Sequence, residues 1–234
     1  MTSTLNVLSA GATQGLVKSL QERYTKETGA VVQATFGAVG AMKERLLDGA
    51  PCDVMIVSES VTDQLVTAGY LDEVTCAPVG KVHTGIGVRS DETVPDVSTP
   101  ERLADTLLAA NGIYVADPLR ATGGIHFARV LHQLGLYEQL EDRLQVFPNG
   151  ATLMRELASS TAPGLLGCAQ VTEVIYTPGT TLAGPLPGRF ELATTYTATI
   201  SRLASEGDLA SRFIALLTGP DTASVRAEAG FAQV

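Results

Sequence analysis

The chain has 234 residues, 45% of them hydrophobic, and a formal net charge of −9 at pH 7. That length suffices for one large domain or two smaller lobes with packed cores. The acidic balance, with no run of Lys or Arg, argues against a nucleic-acid partner, and no apolar stretch reaches the roughly 18 residues of a membrane span.

The chain opens Met1-Thr2-Ser3-Thr4 with no basic n-region, apolar h-region or cleavage site. The expectation is a cytoplasmic protein as written, or a periplasmic one whose signal peptide has been trimmed. Leu5 to Ser9 then reads as a buried strand. Val17, Leu20 and Tyr24 recur at helical spacing across Thr13 to Thr28, with Gly29 as the stop. Val31 to Phe36 alternates as a strand, Ala41 to Asp48 reads as a helix, and Asp53 to Val57 is a short apolar run typical of a strand covered on both faces. Val61 to Ala68 is a further helix. This alternation predicts right-handed βαβ units around a mostly parallel sheet, hence an α/β fold.

A second set begins near Lys81. Val82 to Val88 alternates, and Pro100 suits the first turn of a helix with Leu103, Leu107 and Leu108 inward. Ile113 to Val115 is a strand. A helix from about Gly123 carries Phe127, Val130, Leu131 and Leu134. Leu153, Met154 and Leu157 mark a short helix, Leu165 to Ala169 a strand, and Thr177 to Gly188 a loop rich in Pro, Gly and Thr. Tyr196 to Ile200 alternates again before two closing helices. Cys52, Cys76 and Cys168 are odd in number and unpaired in spacing, so neither disulfides nor a zinc site is expected. No His/Glu spacing suggests a metal, and no cofactor is implied.

Four places could carry chemistry. The turn Ser9-Ala10-Gly11-Ala12-Thr13 joins a strand to a helix, where small residues let backbone amides approach an anion at a positive helix end. An ordinary tight turn would look the same. Ala38 and Val39, in Phe36-Gly37-Ala38-Val39-Gly40, lie at a second strand-to-helix turn of the same kind. The loop Asp117-Pro118-Leu119-Arg120-Ala121-Thr122-Gly123-Gly124-Ile125-His126 offers a guanidinium for a carboxylate, a Thr122 hydroxyl and the Gly123 and Gly124 amides. The bland alternative makes Arg120 a solvated charge and Thr122 a helix cap. His126 is a candidate proton carrier or a half-buried surface histidine. Gln170, with Arg189, Thr195 and Tyr196, forms the last group; Tyr196 is either a cleft residue or core.

The stretches Val7 to Thr13, Phe36 to Gly40, Gly49-Ala50-Pro51-Cys52-Asp53-Val54 and Gly167-Cys168-Ala169-Gln170, with the tail Leu216 to Phe231, resemble the molybdate-type bacterial solute-binding proteins over nearly the whole chain. The resemblance implies a type 2 periplasmic-binding-protein-like fold of two lobes, each a mostly parallel sheet flanked by helices, with the ligand cleft between them. It divides the chain into lobe 1 at residues 1–80, lobe 2 at 81–194 and a return segment at 195–234. It also implies an architectural role for Asp53. The family's two oxyanion-binding serines align with Ala12 and Val39, and its site tyrosine with Gln170, so hydroxyl donors that a buried oxyanion needs are missing.

The Asp-Pro-x-x-Ala-Thr-Gly-Gly-x-His pattern and the Tyr-Thr-Ala-x-Ile strand are similar to the aconitate isomerase branch of that family. That branch implies a tricarboxylate ligand, and the candidate contacts for it are Ser9, Gly11, Ala12, Thr13, Ala38, Val39, Arg120, Thr122, Gly123, Gly124 and Gln170. It implies an allylic proton shift carried by His126 or Tyr196. A non-catalytic receptor delivering molybdate or another small anion to an ABC permease is the alternative. The family implies a monomer.

Overall fold

The computed structural model describes residues 3–233. In chain order the elements begin β1 (Thr4–Ala10), a 3-10 turn (Gly11–Thr13), α1 (Gln14–Thr28), β2 (Val31–Gly37), α2 (Val39–Leu47), β3 (Val54–Ser58), α3 (Glu59–Thr67) and β4 (Ala77–Arg89). They continue α4 (Pro100–Ala109), β5 (Gly112–Ala116), α5 (Thr122–Leu134), α6 (Tyr137–Leu140), β6 (Leu144–Phe147), α7 (Gly150–Ser159), β7 (Leu165–Gln170) and α8 (Val171–Tyr176). The last are β8 (Thr180–Pro185), β9 (Ala193–Ile200), α9 (Gly207–Thr218) and α10 (Ala223–Glu228). The chain clusters into two units, Met1–Val82 with Thr194–Val234, and His83–Ala193.

In the first unit β1 lies between β2 and β3, parallel to both, and β9 runs antiparallel to β3 with Ser58 opposite Tyr196. β3 is a near-continuous apolar run covered on both faces, and Val54 to Ser58 is buried throughout. α1 turns Leu16, Val17, Leu20 and Tyr24 inward and ends at Gly29, whose φ of 75° is left-handed backbone that glycine adopts without steric cost. The Tyr24 ring meets Phe213 edge-on at 5.0 Å, and its hydroxyl donates to the Leu209 carbonyl. Burying each such Leu, Val or Phe side chain contributes about 1.5–3 kcal/mol.

Asp53 ties this unit together. Its carboxylate accepts from the Asn6 backbone and amide at 2.7 and 3.1 Å, and from the backbone N–H groups of Ser205 and Glu206 at 2.8 and 3.2 Å. Burial disfavours its charge, but these donors outweigh burial and hold the carboxyl below its ordinary pKa. The side chain is therefore an architectural pin between β1, the start of β3 and the N-terminus of α9.

In the second unit β4 lies between β7 and β8, antiparallel to both, while β5 runs parallel to β7 and β6. The sheet is thus mixed. Ile86, Leu103, Leu107, Ile113, Phe127 and Leu131 are among the side chains of its core. α4 starts as its residues dictate: Thr99 Oγ1 accepts from the Arg102 N–H, and Pro100 fills the first turn. The Thr177 to Gly188 segment is not all loop. Thr180 to Pro185 is β8, a half-exposed strand whose backbone pairs with β4 despite its Gly and Pro. Cys52 and Cys168 are buried, and burial raises the pKa of both thiols, Cys52 to about 12.

Candidate functional site

The first unit presents two strand-to-helix turns. Ser9 and Thr13 are fully buried, but their hydroxyls bond to one another and to the Ala10 carbonyl. Those hydroxyls are committed inside the turn. Ala12 and Ala38 carry no polar side-chain atom, and Val39 begins α2 with no side-chain cap at Ala38. What these turns can offer an anion is backbone N–H, since the first amides of a helix have no acceptor within it. Tyr196 is 2% exposed, and its side chain lies in the first unit's apolar core.

In the second unit the β5–α5 loop is built on Asp117, whose Oδ1 accepts from the Leu119 and Arg120 N–H groups at 2.7 and 3.2 Å. Arg120 is exposed on this loop. Ala121, not Thr122, is the N-cap of α5; Thr122 is its first helical residue, and no side chain caps this end. Gly124 is required by packing. A β-carbon there would lie 2.6 Å from the Asp117 carbonyl oxygen, inside contact distance. His126 Nε2 is 2.7 Å from the Phe190 carbonyl oxygen. A carbonyl only accepts, so Nε2 carries a proton, and the neutral tautomer that fits this contact leaves the lone pair on Nδ1. His83 Nδ1 faces Glu191 Oε1 at 3.0 Å, His132 stacks on Tyr137, and Arg189 is exposed with its guanidinium carbon 4.9 Å from the Phe190 ring centre.

Gln170 closes β7 opposite Thr84 of β4. Opposed residues of an antiparallel ladder share a face. A β-carbon on Gly123 would lie 3.6 Å from Gln170 Nε2 and 3.9 Å from Thr84 Oγ1, so the start of α5 meets both side chains. Gln170 is 4% exposed and Thr84 fully buried; the Gln170 side chain is set toward the Glu173 N–H as in a capping box but without hydrogen-bond geometry, so Nε2, Oε1 and Oγ1 all lack a partner. Leaving a buried polar group unpaired costs about 1–3 kcal/mol. Buried polar atoms left without a partner are uncommon, which singles out this cluster.

Beside it the N-terminus of α7 is filled from within. Asn149 Oδ1 accepts from the Thr152 N–H at 2.8 Å. The buried Glu173 carboxylate accepts from the backbone of Ala151 and of Gln170, the latter at 3.1 Å. Burial dominates and pushes the Glu173 carboxyl up to about 7. Sequence reasoning missed Thr84 and Glu173. The available signals were a threonine in the inward series Val82, Thr84, Ile86, Val88, and a Gln-Val-Thr-Glu spacing that suits a helix start. Among the described residues no group of three or more His, Cys, Asp or Glu is placed to hold a metal ion.

Residues 5–232 match the family described as bacterial extracellular solute-binding protein. An aconitate isomerase from a Pseudomonas species is 24% identical over 99% of this chain and 88% of its own. Among solved structures, the periplasmic molybdate-binding protein of Azotobacter vinelandii superposes with a TM-score of 0.83 at 21% identity, covering 98% of this chain and 99% of its own. The sulfate-binding protein of Mycobacterium tuberculosis gives 0.75 at 15%, covering 99% and 87%. An extracellular family does not support the cytoplasmic expectation, and no described helix is long and apolar enough to cross a membrane. The match over almost the whole length, on an α/β fold shared with anion receptors, places this chain in the bacterial extracellular solute-binding protein family.

Proposed function

We propose that this protein binds a small organic polycarboxylate and isomerises it by an allylic proton shift, as an aconitate isomerase does. The observation that carries the reading is the buried, unpartnered set of Gln170 and Thr84 at the N-terminus of α5. It stands with a first unit whose Ser9 and Thr13 hydroxyls are spent internally and whose Ala12 and Val39 offer none. A dry oxyanion site depends on such hydroxyls. A carboxylate can instead be held by amides and by Arg120, whose planar guanidinium suits two carboxylate oxygens. Thr122, Gly123 and Gly124 supply helix-end amides beside it in the same unit.

The chemistry then runs through His126. Nδ1 takes a proton from the carbon next to a carboxylate and a double bond. The released electron pair spreads over the allylic system toward that carboxylate, where fixed amide dipoles and a cation offset the growing charge. The imidazolium returns a proton to the far carbon, so the double bond moves with no net change in composition. His126 is preferred to Tyr196 because the Tyr196 ring is core. The periplasm and monomeric action fit the family.

A second reading is favoured by the likeness to the Azotobacter molybdate-binding protein: a receptor carrying an oxyanion to an ABC permease. Incubating the protein with trans-aconitate and following cis-aconitate by proton NMR separates the two. Appearance of the cis isomer is expected. No turnover, with tight molybdate binding, would contradict the reading.

A further inference from the structure

We propose that the corner formed by Gln170, Thr84 and the start of α5 holds one carboxyl group of the ligand in its protonated form. This rests on the carboxylate reading above and specifies how one end of the ligand is bound. A primary amide offers two N–H donors and one carbonyl acceptor, and here both ends are buried and unpaired. Exchanging the amide's oxygen and nitrogen in place leaves the same pair of demands. Molybdate, sulfate or an ionised carboxylate brings acceptors only. Each would satisfy Nε2 and set a negative oxygen near Oε1. A carboxylic acid satisfies both: its O–H donates to Gln170 Oε1 while its carbonyl accepts from Nε2, closing a two-bond ring. The Thr84 hydroxyl, 3.9 Å from where a Gly123 β-carbon would stand, is available to donate to the carbonyl's second lone pair.

The surrounding charges decide whether the proton stays. Glu173 of α8 sits on the Gln170 backbone N–H, and its negative form raises the pKa of a carboxyl beside it. Asp117, in the loop before α5, is engaged with the Leu119 and Arg120 N–H groups. His126 is turned to Phe190 and His83 of β4 to Glu191. Arg120 and the dipole of α5 pull the other way, toward an ionised guest. The dry setting of Gln170 and Thr84 opposes ionisation. The three atoms are covered from solvent, so the cover must part before a ligand reaches them. In the isomerase a carboxyl kept neutral also makes the neighbouring C–H more acidic, since the carbanion's charge then moves onto an uncharged group.

The test is isothermal titration of the full chain with tricarballylate, a saturated tricarboxylate that cannot isomerise. Titrations at pH 7.5 in buffers of differing ionisation enthalpy count the protons taken up. Wild type should take up close to one proton per ligand and lose about tenfold in affinity from pH 7 to 8. Gln170→Leu and, as a second variant, Thr84→Val should bind about 10- to 100-fold more weakly, with the uptake lost in Gln170→Leu. Glu173→Gln removes one charge that favours the proton but leaves the Gln170 pairing and the dry setting, so most of the uptake should remain. Tight binding with no proton uptake overturns the proposal, as does uptake that vanishes in Glu173→Gln but survives in Gln170→Leu. Uptake without turnover of trans-aconitate would contradict the isomerase reading and leave this one standing; turnover without uptake does the reverse.

Discussion

Glu173 and Gly150 share one space: a β-carbon on residue 150 would fall inside the Glu173 carboxylate, 2.5 Å from its Cδ. The glycine lets an acidic side chain reach the N-terminus of α7 and join it to the β7–α8 turn that presents Gln170. Gly150→Ala should therefore expel the carboxylate and destabilise the protein by about 2 kcal/mol or more, read by urea denaturation.

The same carboxyl makes stability depend on pH. Its pKa is raised from an ordinary 4.5 to about 7 in the folded protein. The folded state then holds a proton that the unfolded state releases between these values, so its contribution is full below pH 4.5 and is lost as pH rises toward 7. The loss is on the order of 3 kcal/mol. Glu173→Gln lacks this titration. Its stability relative to wild type should rise by that order from pH 4.5 to 8 in parallel denaturation curves; a constant difference would contradict the assignment.

Asp53 should behave in the opposite sense. Its depressed pKa means its stabilisation is present above the ordinary value of 3.8 and fades as pH falls below it. Asp53→Asn should cost about 2–4 kcal/mol at pH 7, because it loses the charge and places an amide against the donors of Asn6, Ser205 and Glu206. The deficit should shrink at pH 3.

Gly123 and Gly124 should separate folding from binding. Alanine at 124 collides with the Asp117 carbonyl and should lower the thermal midpoint by several degrees. A methyl at 123 finds only ordinary contacts, the nearest at 3.6 Å from Gln170 Nε2. Gly123→Ala should keep the wild-type midpoint while weakening carboxylate binding at the corner it faces.

The elements were legible where side-chain period and helix stops agreed. Gly29 and Gly135 end α1 and α5, where each takes a left-handed φ. β8 was hidden because its sequence, Thr-Thr-Leu-Ala-Gly-Pro, carries turn residues and its pairing comes from β4, almost a hundred positions earlier. Gln170 stood out through the family resemblance, and Gly123–Gly124 through their place between a strand and a helix. Thr84 did not, because its meaning depends on the strand opposite. Ser9 and Thr13 looked like donors to a ligand, and only the fold shows their hydroxyls turned on each other.

The central claim is that this chain grips a carbon acid through Gln170. Calorimetric titration of wild type and Gln170→Leu with trans-aconitate and with molybdate tests it most directly. The account predicts that wild type binds trans-aconitate at least tenfold tighter than molybdate, a preference that collapses in Gln170→Leu. Tighter binding of molybdate, unchanged by the substitution, would contradict it.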